Sequence, residues 1–224
     1  MRYSPEVCSW VRLDDGMHAR RANPHFPKDS MPQHFIASCH VITGASGAGK
    51  STLLAALSDL GYCTVPEAAL AILREQQACN GTLLPWTDRA AFLEAVLERN
   101  ISNHQAAQSM KAPVFFDRGI PECLAWLRMS GVPLQSHHLA APEQYRYAPT
   151  VFVAEPWPEV YVQTAERHAS FEQAARSYDA TVNAYVDAGY SPCILPKVPV
   201  QERVAFVLDR MAPSSAENKK PAEQ

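Results

Sequence analysis

The amino-acid sequence predicts an α/β fold in which a parallel sheet is covered by helices on both faces. Short apolar runs alternate along the chain with longer segments whose apolar residues recur at helical spacing. The run VFF at 114–116, for example, contains no polar residue. Strands of this kind are buried on both faces, as parallel strands between helices are. The length of 224 residues suits one domain of ordinary size.

Strand and helix patterns follow each other in regular order from Phe35 onward. The predicted strands lie within residues 35–43, 62–65, 113–117, 150–154 and 193–195. The predicted helices are 51–60, 67–77, a long helix capped by Thr87 or Asp88, a helix around 124–129, and 171–188 and 201–211. In the first helix, Leu53, Leu54, Leu57 and Leu60 are predicted to share one face. Ser170 and Gln173 form a capping box, and Gly61 and Gly189 are predicted to end helices.

The regular pattern predicts one domain at residues 34–212. Residues 1–33 combine charges, prolines and isolated apolar residues without periodicity. We interpret them as a disordered extension or as a segment upstream of the natural start, for which Met17 and Met31 are candidates. Residues 213–224 are polar and contain proline, which predicts a disordered tail.

Composition argues against several classes of partner. The formal net charge of −3 gives no general attraction for nucleic acid or a membrane surface. The sequence has no apolar run of about 18 residues, the length that marks a membrane span. The first 30 residues lack the apolar centre of a secretory signal. We therefore expect a cytoplasmic protein without a nucleic-acid or membrane partner.

Residues 44–51, GASGAGKS, match the pattern G-x-x-x-x-G-K-[ST] of a phosphate-binding loop. The glycines let successive N–H groups turn toward one anion, Lys50 reaches the β and γ phosphates, and the Ser51 hydroxyl is a ligand for Mg²⁺. The following helix adds the positive end of its dipole. We therefore predict a P-loop NTPase fold with ATP and Mg²⁺ as cofactors. The predicted nucleotide-binding residues are Gly44, Ala45, Ser46, Gly47, Ala48, Gly49, Lys50, Ser51 and Thr52.

Acidic residues follow two of the predicted strands. Asp117 closes the third strand, where a carboxylate is needed as a second ligand for Mg²⁺. Glu67 follows the second strand and is a candidate to accept a proton from a substrate hydroxyl. Plainer interpretations remain open, because Asp117 can cap the next helix and Glu67 can stabilise the first turn of its helix. Arg118 is interpreted as a ligand of phosphate or acceptor, or as one partner of a surface ion pair.

Two arginines near the late helix are candidates for a lid over the phosphates. Arg167 precedes this helix and Arg176 lies within it. Their positive charge would stabilise the phosphoryl group during transfer. The plainer interpretation is that both are solvated charges on a helix surface.

Histidine and tryptophan side chains receive weaker interpretations. His137 and His138 are adjacent in a segment predicted to be a proline-rich loop, and we expect no convergence on a metal there. Trp86, Trp126 and Trp157 are candidates to line an acceptor pocket, although packing in the core is the default interpretation.

Several motifs in a fixed order resemble the NadR-like AAA domain family. They are ITGASGAGKSTLLAAL, GYCTVPEAALAIL, LPWTD, APVFFDRGIPECLAWL, VFVAEPWPEVY, ERHASFEQAARSYDATVNAYVDAGY and ILPKVPVQERVAFVL. This family consists of small P-loop proteins and includes the ribosylnicotinamide kinase portion of a bacterial NAD regulator. The resemblance extends from about Phe35 to Met211.

The resemblance implies a P-loop fold of the nucleoside- and nucleotide-kinase type. It also implies that Asp117 and Arg118 are the D-R pair of the family, that Glu67 is its acidic residue after the second strand, and that Arg167 and Arg176 belong to the lid. One difference is Leu70, because members of the family often carry an arginine there.

The residues and the resemblance together predict a kinase that uses ATP and Mg²⁺ to phosphorylate a small nucleoside-like molecule. We expect a monomer or small oligomer, with a nucleoside triphosphate and an unidentified small-molecule acceptor as partners. The predicted catalytic residues are Lys50, Glu67, Asp117, Arg118, Arg167 and Arg176, and the predicted metal ligands are Ser51 and Asp117. The alternative is an ATPase that works as a nucleotide-dependent binding or regulatory switch and makes no phosphorylated product.

Overall fold

A computed structural model describes residues 38–110, 112–161 and 171–211. Arg167, Ser170, the extension 1–33 and the tail 213–224 lie outside the described residues. The interpretations given to them above remain predictions.

The described strands form one parallel sheet of five strands. The strands are β1 Cys39–Gly44, β2 Cys63–Val65, β3 Val114–Asp117, β4 Thr150–Ala154 and β5 Ser191–Ile194. Their order across the sheet is β2-β3-β1-β4-β5, so β1 lies in the centre with β3 and β4 as its neighbours. In this register Ile42 pairs with Asp117, and Gly44 pairs with Ala154. The parallel arrangement brings the carboxyl ends of all five strands to one edge, and the segments that follow them meet there.

Helices cover both faces of the sheet, as the unbroken apolar strands predict. Val41 and Phe116 belong to one buried cluster, which also contains residues of five helices. The next residue of β1, Ile42, and the preceding residue of β3, Phe115, belong to a second cluster with the first and last helices. Successive strand residues point to opposite faces, which explains why every residue of these strands is apolar or closely packed.

Apart from α5, the helices of the described residues agree with the predicted positions to within a few residues. They are α1 Lys50–Asp59, α2 Ala68–Ala78, α3 Arg89–Ala107, α4 Ile120–Met129, α5 Ser136–Gln144, α6 Phe171–Asp187 and α7 Val200–Met211, with a 3₁₀ turn at Pro158–Val160. Asp88 is the cap of α3, since its side chain accepts a hydrogen bond from the Ala91 N–H at 3.0 Å. The prediction that Leu60 shares the apolar face of α1 was wrong, because this residue follows the last turn of the helix and is 55% exposed.

Helix α5 is the element that the sequence pattern did not predict. Its sequence SHHLAAPEQ has little apolar periodicity and contains Pro142, both of which are typical of loops. Tertiary packing overrides this preference, because His138, Ala141 and Pro142 are buried. None of the helices in the described part of the chain is long and apolar enough to span a membrane.

Candidate active site

The phosphate-binding loop lies between the end of β1 and the start of α1, at the centre of the sheet edge. Gly44, Gly47 and Gly49 have positive φ angles of 112°, 77° and 76°, which residues with a side chain rarely adopt. The loop therefore depends on the glycines of the sequence motif. Ser46, Gly47, Gly49, Lys50, Ser51 and Thr52 line a cavity of about 160 Å³, and Ala45 and Ala48 are buried beneath them.

Gly44 also lies against strand β4. A Cβ atom at this position would lie 2.1 Å from the Ala154 carbonyl oxygen, which accepts a hydrogen bond from the Ala45 N–H at 2.8 Å. We expect Gly44→Ala to lower the free energy of unfolding by at least about 2 kcal/mol, because backbone strain and overpacking add. Chemical denaturation measures this loss.

Gly61→Ala is the matched control for this substitution. Gly61 has a φ of 91°, but no atom lies within 4 Å of an added Cβ. Its expected loss is about 1 kcal/mol, because only the left-handed backbone opposes the side chain. Equal losses in the two variants would contradict the steric explanation for Gly44.

Lys50 is buried within the loop at 6% exposure. Its ammonium group donates hydrogen bonds to the carbonyl oxygens of Gly44 at 3.2 Å and Ala45 at 2.8 Å. Burial, together with the nearby guanidinium of Arg118, lowers the pKa of Lys50 to about 8. A buried cation with only neutral acceptors favours the arrival of an anion beside it.

Asp117 lies at the end of β3 and faces the start of α1. Ser51 Oγ lies 3.5 Å from Asp117 Oδ2, whereas the buried Oδ1 atom has no hydrogen-bond partner among the described residues. Burial raises the pKa of Asp117 to about 6. The residue does not cap α4, whose cap is Gly119 and has no side-chain hydrogen bond. A buried carboxylate oxygen without a partner beside a hydroxyl is a suitable place for a hard cation.

Arg118 connects the loop to two carboxylates. Its Nε atom lies 3.0 Å from Glu67 Oε2, and Nη1 forms a short ion pair with Glu122 Oε1 and donates to the Gly44 carbonyl at 3.2 Å. Its backbone has a φ of 69°, a strained conformation for a residue with a side chain. The interpretation of Arg118 as part of a surface ion pair is wrong, because its side chain is 11% exposed. Arg118 orients Glu67 at the rim of the phosphate cavity.

Glu122 is the residue of this site that the sequence analysis missed. It is completely buried, and it accepts hydrogen bonds from Thr43 Oγ1 at 2.6 Å and Thr181 Oγ1 at 3.3 Å in addition to its ion pair with Arg118. The sequence signal for Glu122 was a single carboxylate in the otherwise apolar segment IPECLAWL, since buried acids are rarely left without a partner.

Glu67 stands just before α2 and makes no capping hydrogen bond with its side chain.

The structure does not bring Arg176 to this site. Its side chain is 78% exposed, and among the described residues its carboxylate partner is Glu172, at 3.9 Å. Arg176 is also not among the residues that line the phosphate cavity. A lid role for Arg176 therefore stays a prediction.

His137 and His138 converge on the carboxylate of Glu94, a contact that the sequence pattern did not predict. Their Nε2 atoms each lie 2.7 Å from a different oxygen of Glu94, and the ligand atoms of the three residues lie within 4.8 Å of one another. The N–H of Gln135 donates to His138 Nδ1 at 2.9 Å, which leaves the ring proton of a neutral His138 on Nε2. The nitrogen that faces Glu94 is thus a donor and not a metal ligand, so this cluster joins α3 to α5.

The three tryptophans considered for an acceptor pocket have different surroundings. Trp86 is 65% exposed, which contradicts core packing as the default interpretation for this residue. Trp126 lies 5.4 Å from the Arg118 guanidinium and lines a second, mainly apolar cavity of about 180 Å³ with Phe92 and Arg89. Trp157 lies beside Arg203 of α7.

A phosphate loop after the central strand, with a carboxylate at the end of the neighbouring strand, defines the class of P-loop NTPases. The model of an AAA domain family matches residues 39–203, and the chain belongs to that family. The family resemblance seen in the sequence is thereby confirmed.

Comparison with solved structures gives kinases of the same fold. Deoxyadenosine kinase from M. mycoides, with the products dCMP and a flexible dCDP bound, is 15% identical with a TM-score of 0.55. The match covers 77% of this chain and 98% of that chain. Shikimate kinase from Acinetobacter baumannii, in complex with shikimate, is 14% identical with a TM-score of 0.50, over 78% of this chain and 93% of that chain. No curated protein matched the chain. These likenesses confirm the predicted kinase-like α/β fold.

Proposed function

We propose that this protein is a kinase that uses ATP and Mg²⁺ to phosphorylate a hydroxyl group of a small nucleoside-like molecule. The observation that carries the proposal is the Glu67 carboxylate at the rim of the phosphate cavity, held 3.0 Å from Arg118, which Glu122 holds in turn. A carboxylate in this position is suited to accept the proton of a hydroxyl group that attacks the γ phosphate.

Binding of the triphosphate is assigned to the loop and Lys50. Gly47 and Gly49 line the cavity, and α1 begins directly behind them with the positive end of its dipole. Lys50 would exchange its carbonyl acceptors for phosphate oxygens, which offset its buried charge more strongly.

Ser51 and Asp117 fit a magnesium ion. Both offer oxygen ligands, which Mg²⁺ prefers, and the buried Asp117 Oδ1 atom has no other partner among the described residues. When bound, the ion would neutralise negative charge on the β and γ phosphates.

Glu67 would act at the acceptor hydroxyl. The hydroxyl oxygen forms a bond to the γ phosphorus, its proton moves to the Glu67 carboxylate, and the bond between the γ phosphorus and the bridging oxygen breaks to release ADP. Arg118 fixes the direction of the Glu67 carboxylate, because the guanidinium is paired with Glu122 on its other side. Arg167 and Arg176 are proposed as lid residues that would add positive charge during transfer.

A nucleoside-like acceptor is supported by the deoxyadenosine kinase of the same fold. The cavity beside Trp126 adds a second argument, because Phe92 and Trp126 give it the apolar walls on which a planar ring can stack. Trp126 also contacts the Arg118 guanidinium, so this cavity adjoins the residue that holds Glu67.

A metabolite extract tests the proposal directly. The purified protein is incubated with Mg·ATP and a nucleoside-rich extract, and mass spectrometry is used to find any compound that gains one phosphate. A product that is absent with Lys50→Ala would identify both the activity and the acceptor. Formation of ADP without such a product would reject the kinase and favour the ATPase switch.

Glu67→Gln is expected to lower the rate of acceptor phosphorylation by about 10² to 10⁴, because the amide cannot accept the proton. The affinity for ATP is expected to change by no more than about twofold, since the substitution keeps the shape of the side chain that pairs with Arg118. Steady-state kinetics and direct binding separate the two effects. Glu75→Gln on the exposed face of α2 is the control, and an unchanged rate in Glu67→Gln would remove Glu67 from the mechanism.

A further inference from the structure

Arg203 of α7 is a buried cation that the mechanism above does not use. It is 4% exposed, and its Nη1 atom donates a hydrogen bond to the Ala48 carbonyl at 3.1 Å. Among the described residues it has no carboxylate partner, and its buried Nε atom has no hydrogen-bond partner. The ring of Trp157 lies 5.9 Å from the guanidinium. A buried guanidinium with so few acceptors is unfavourable by itself, and its position behind the phosphate loop suggests a reason for it.

The contact with Ala48 fixes one peptide group of the loop. The Ala48–Gly49 peptide is trans and planar, so the Gly49 N–H points away from the carbonyl that Arg203 holds. Arg203 also occupies the space beside Gly49, because an added Cβ there would lie 2.8 Å from its Nη1 atom. Gly49 lines the phosphate cavity, and its amide is directed away from Arg203.

We propose that Arg203 is a positioning residue for nucleotide binding, which holds the Ala48–Gly49 peptide so that the Gly49 amide binds a phosphate oxygen. Its buried charge lies behind the loop and strengthens the attraction for the phosphates. The inference rests on the nucleotide-binding part of the proposed function. It concerns the polyphosphate and not the base or the acceptor.

The test compares Arg203→Gln and Arg203→Lys with Arg210→Gln. Arg210 lies two turns later on α7, is 43% exposed and contacts Phe206, so it controls for general effects on this helix. The affinities for Mg·ATP and for inorganic tripolyphosphate are measured by calorimetry, and thermal unfolding is recorded without ligand.

Arg203→Gln is expected to lower the affinity for both ligands by about 10- to 100-fold, the range for loss of one charge-assisted hydrogen bond. Arg203→Lys is expected to recover part of the loss, and Arg210→Gln to bind as the unchanged protein does. The KM for the acceptor should not change in Arg203→Gln. Weaker binding of Mg·ATP with unchanged binding of tripolyphosphate would overturn the inference in favour of a contact with the base.

Other outcomes would also overturn the inference. Unchanged affinities in Arg203→Gln, with ATP binding intact in the unchanged protein, would reject the role of Arg203 and leave the proposed function standing. A fall in ATP affinity and acceptor affinity by the same factor, together with a lower melting temperature, would indicate a merely structural role. If the unchanged protein does not bind ATP, the proposed function and this inference both fail.

Discussion

Lys50→Ala is expected to lower ATP-dependent phosphoryl transfer by at least about 10³-fold, because the ammonium group would stabilise the charge that develops on the phosphates during transfer. Binding of Mg·ATP should weaken as well, since the loop loses its only buried ammonium in the described residues. The rate and the affinity are measured on the same preparations. Lys197→Ala, which removes a half-exposed lysine paired with Glu155 at 3.7 Å, is the control.

The stability of the Lys50 variants distinguishes a functional loss from unfolding. Burial lowers the pKa of Lys50 from 10.5 to about 8, so between these values the unfolded chain binds the proton that the folded protein has lost. Stability therefore rises with pH in this range, and below about pH 8 the buried charge opposes folding. We expect Lys50→Met, which keeps the apolar stem, to melt at or above the temperature of the unchanged protein at pH 7. A variant that folds and retains the full rate would exclude Lys50 from catalysis.

Asp117→Asn is the second substitution with a large expected effect. It should lower Mg²⁺-dependent turnover by at least about 10²-fold, because an amide is a much weaker ligand than a carboxylate and leaves phosphate charge less neutralised. The apparent affinity for Mg²⁺ should fall in parallel. Titration of turnover with Mg²⁺ at saturating ATP measures both effects.

The same substitution is expected to stabilise the protein in the absence of nucleotide and metal. Burial raises the pKa of Asp117 from 3.8 to about 6, so between these values the folded protein holds a proton that the unfolded chain has lost. Below about pH 4 the protonated group does not oppose folding. The free energy of unfolding falls as the pH rises from about 4 to about 6, and above pH 6 the ionised group lowers it by up to about 3 kcal/mol. Asparagine removes this cost.

Denaturation with a chelator present, at pH 5 and pH 7.5, measures the effect. The gain from Asp117→Asn should be larger at pH 7.5, whereas the exposed Asp59→Asn should show no such difference. A loss of stability at pH 7.5 would mean that the carboxylate is not desolvated as its burial implies.

Local chemistry explains what could be predicted from the sequence. The glycines of the loop and the apolar strands each favour one conformation of the chain around them, and Lys50 completes the loop motif. Asp117 and Glu67 could be placed together because both follow strands, and the carboxyl ends of parallel strands share an edge. The roles given to these residues are proposals that the experiments above test.

Contacts between distant segments explain what could not be predicted. The buried carboxylate of Glu122 depends on hydrogen bonds from Thr43 and Thr181, which lie 79 and 59 residues away in the chain. His137 and His138 meet Glu94 across more than 40 residues, and this packing also forms α5 against its local propensity. The burial of Arg118 likewise depends on neighbours that no sequence pattern specifies.

The buried carboxylate of Glu122 has a consequence for the evolution of this chain. Its three partners come from β1, the turn after β3, and α6, and loss of any one of them leaves a buried charge less well satisfied. We therefore expect selection against single substitutions at Thr43, Arg118, Glu122 or Thr181, even where a combined replacement would fold. Among related chains these four positions should change together or not at all, and an apolar residue at 122 should be accompanied by the loss of both threonine hydroxyls.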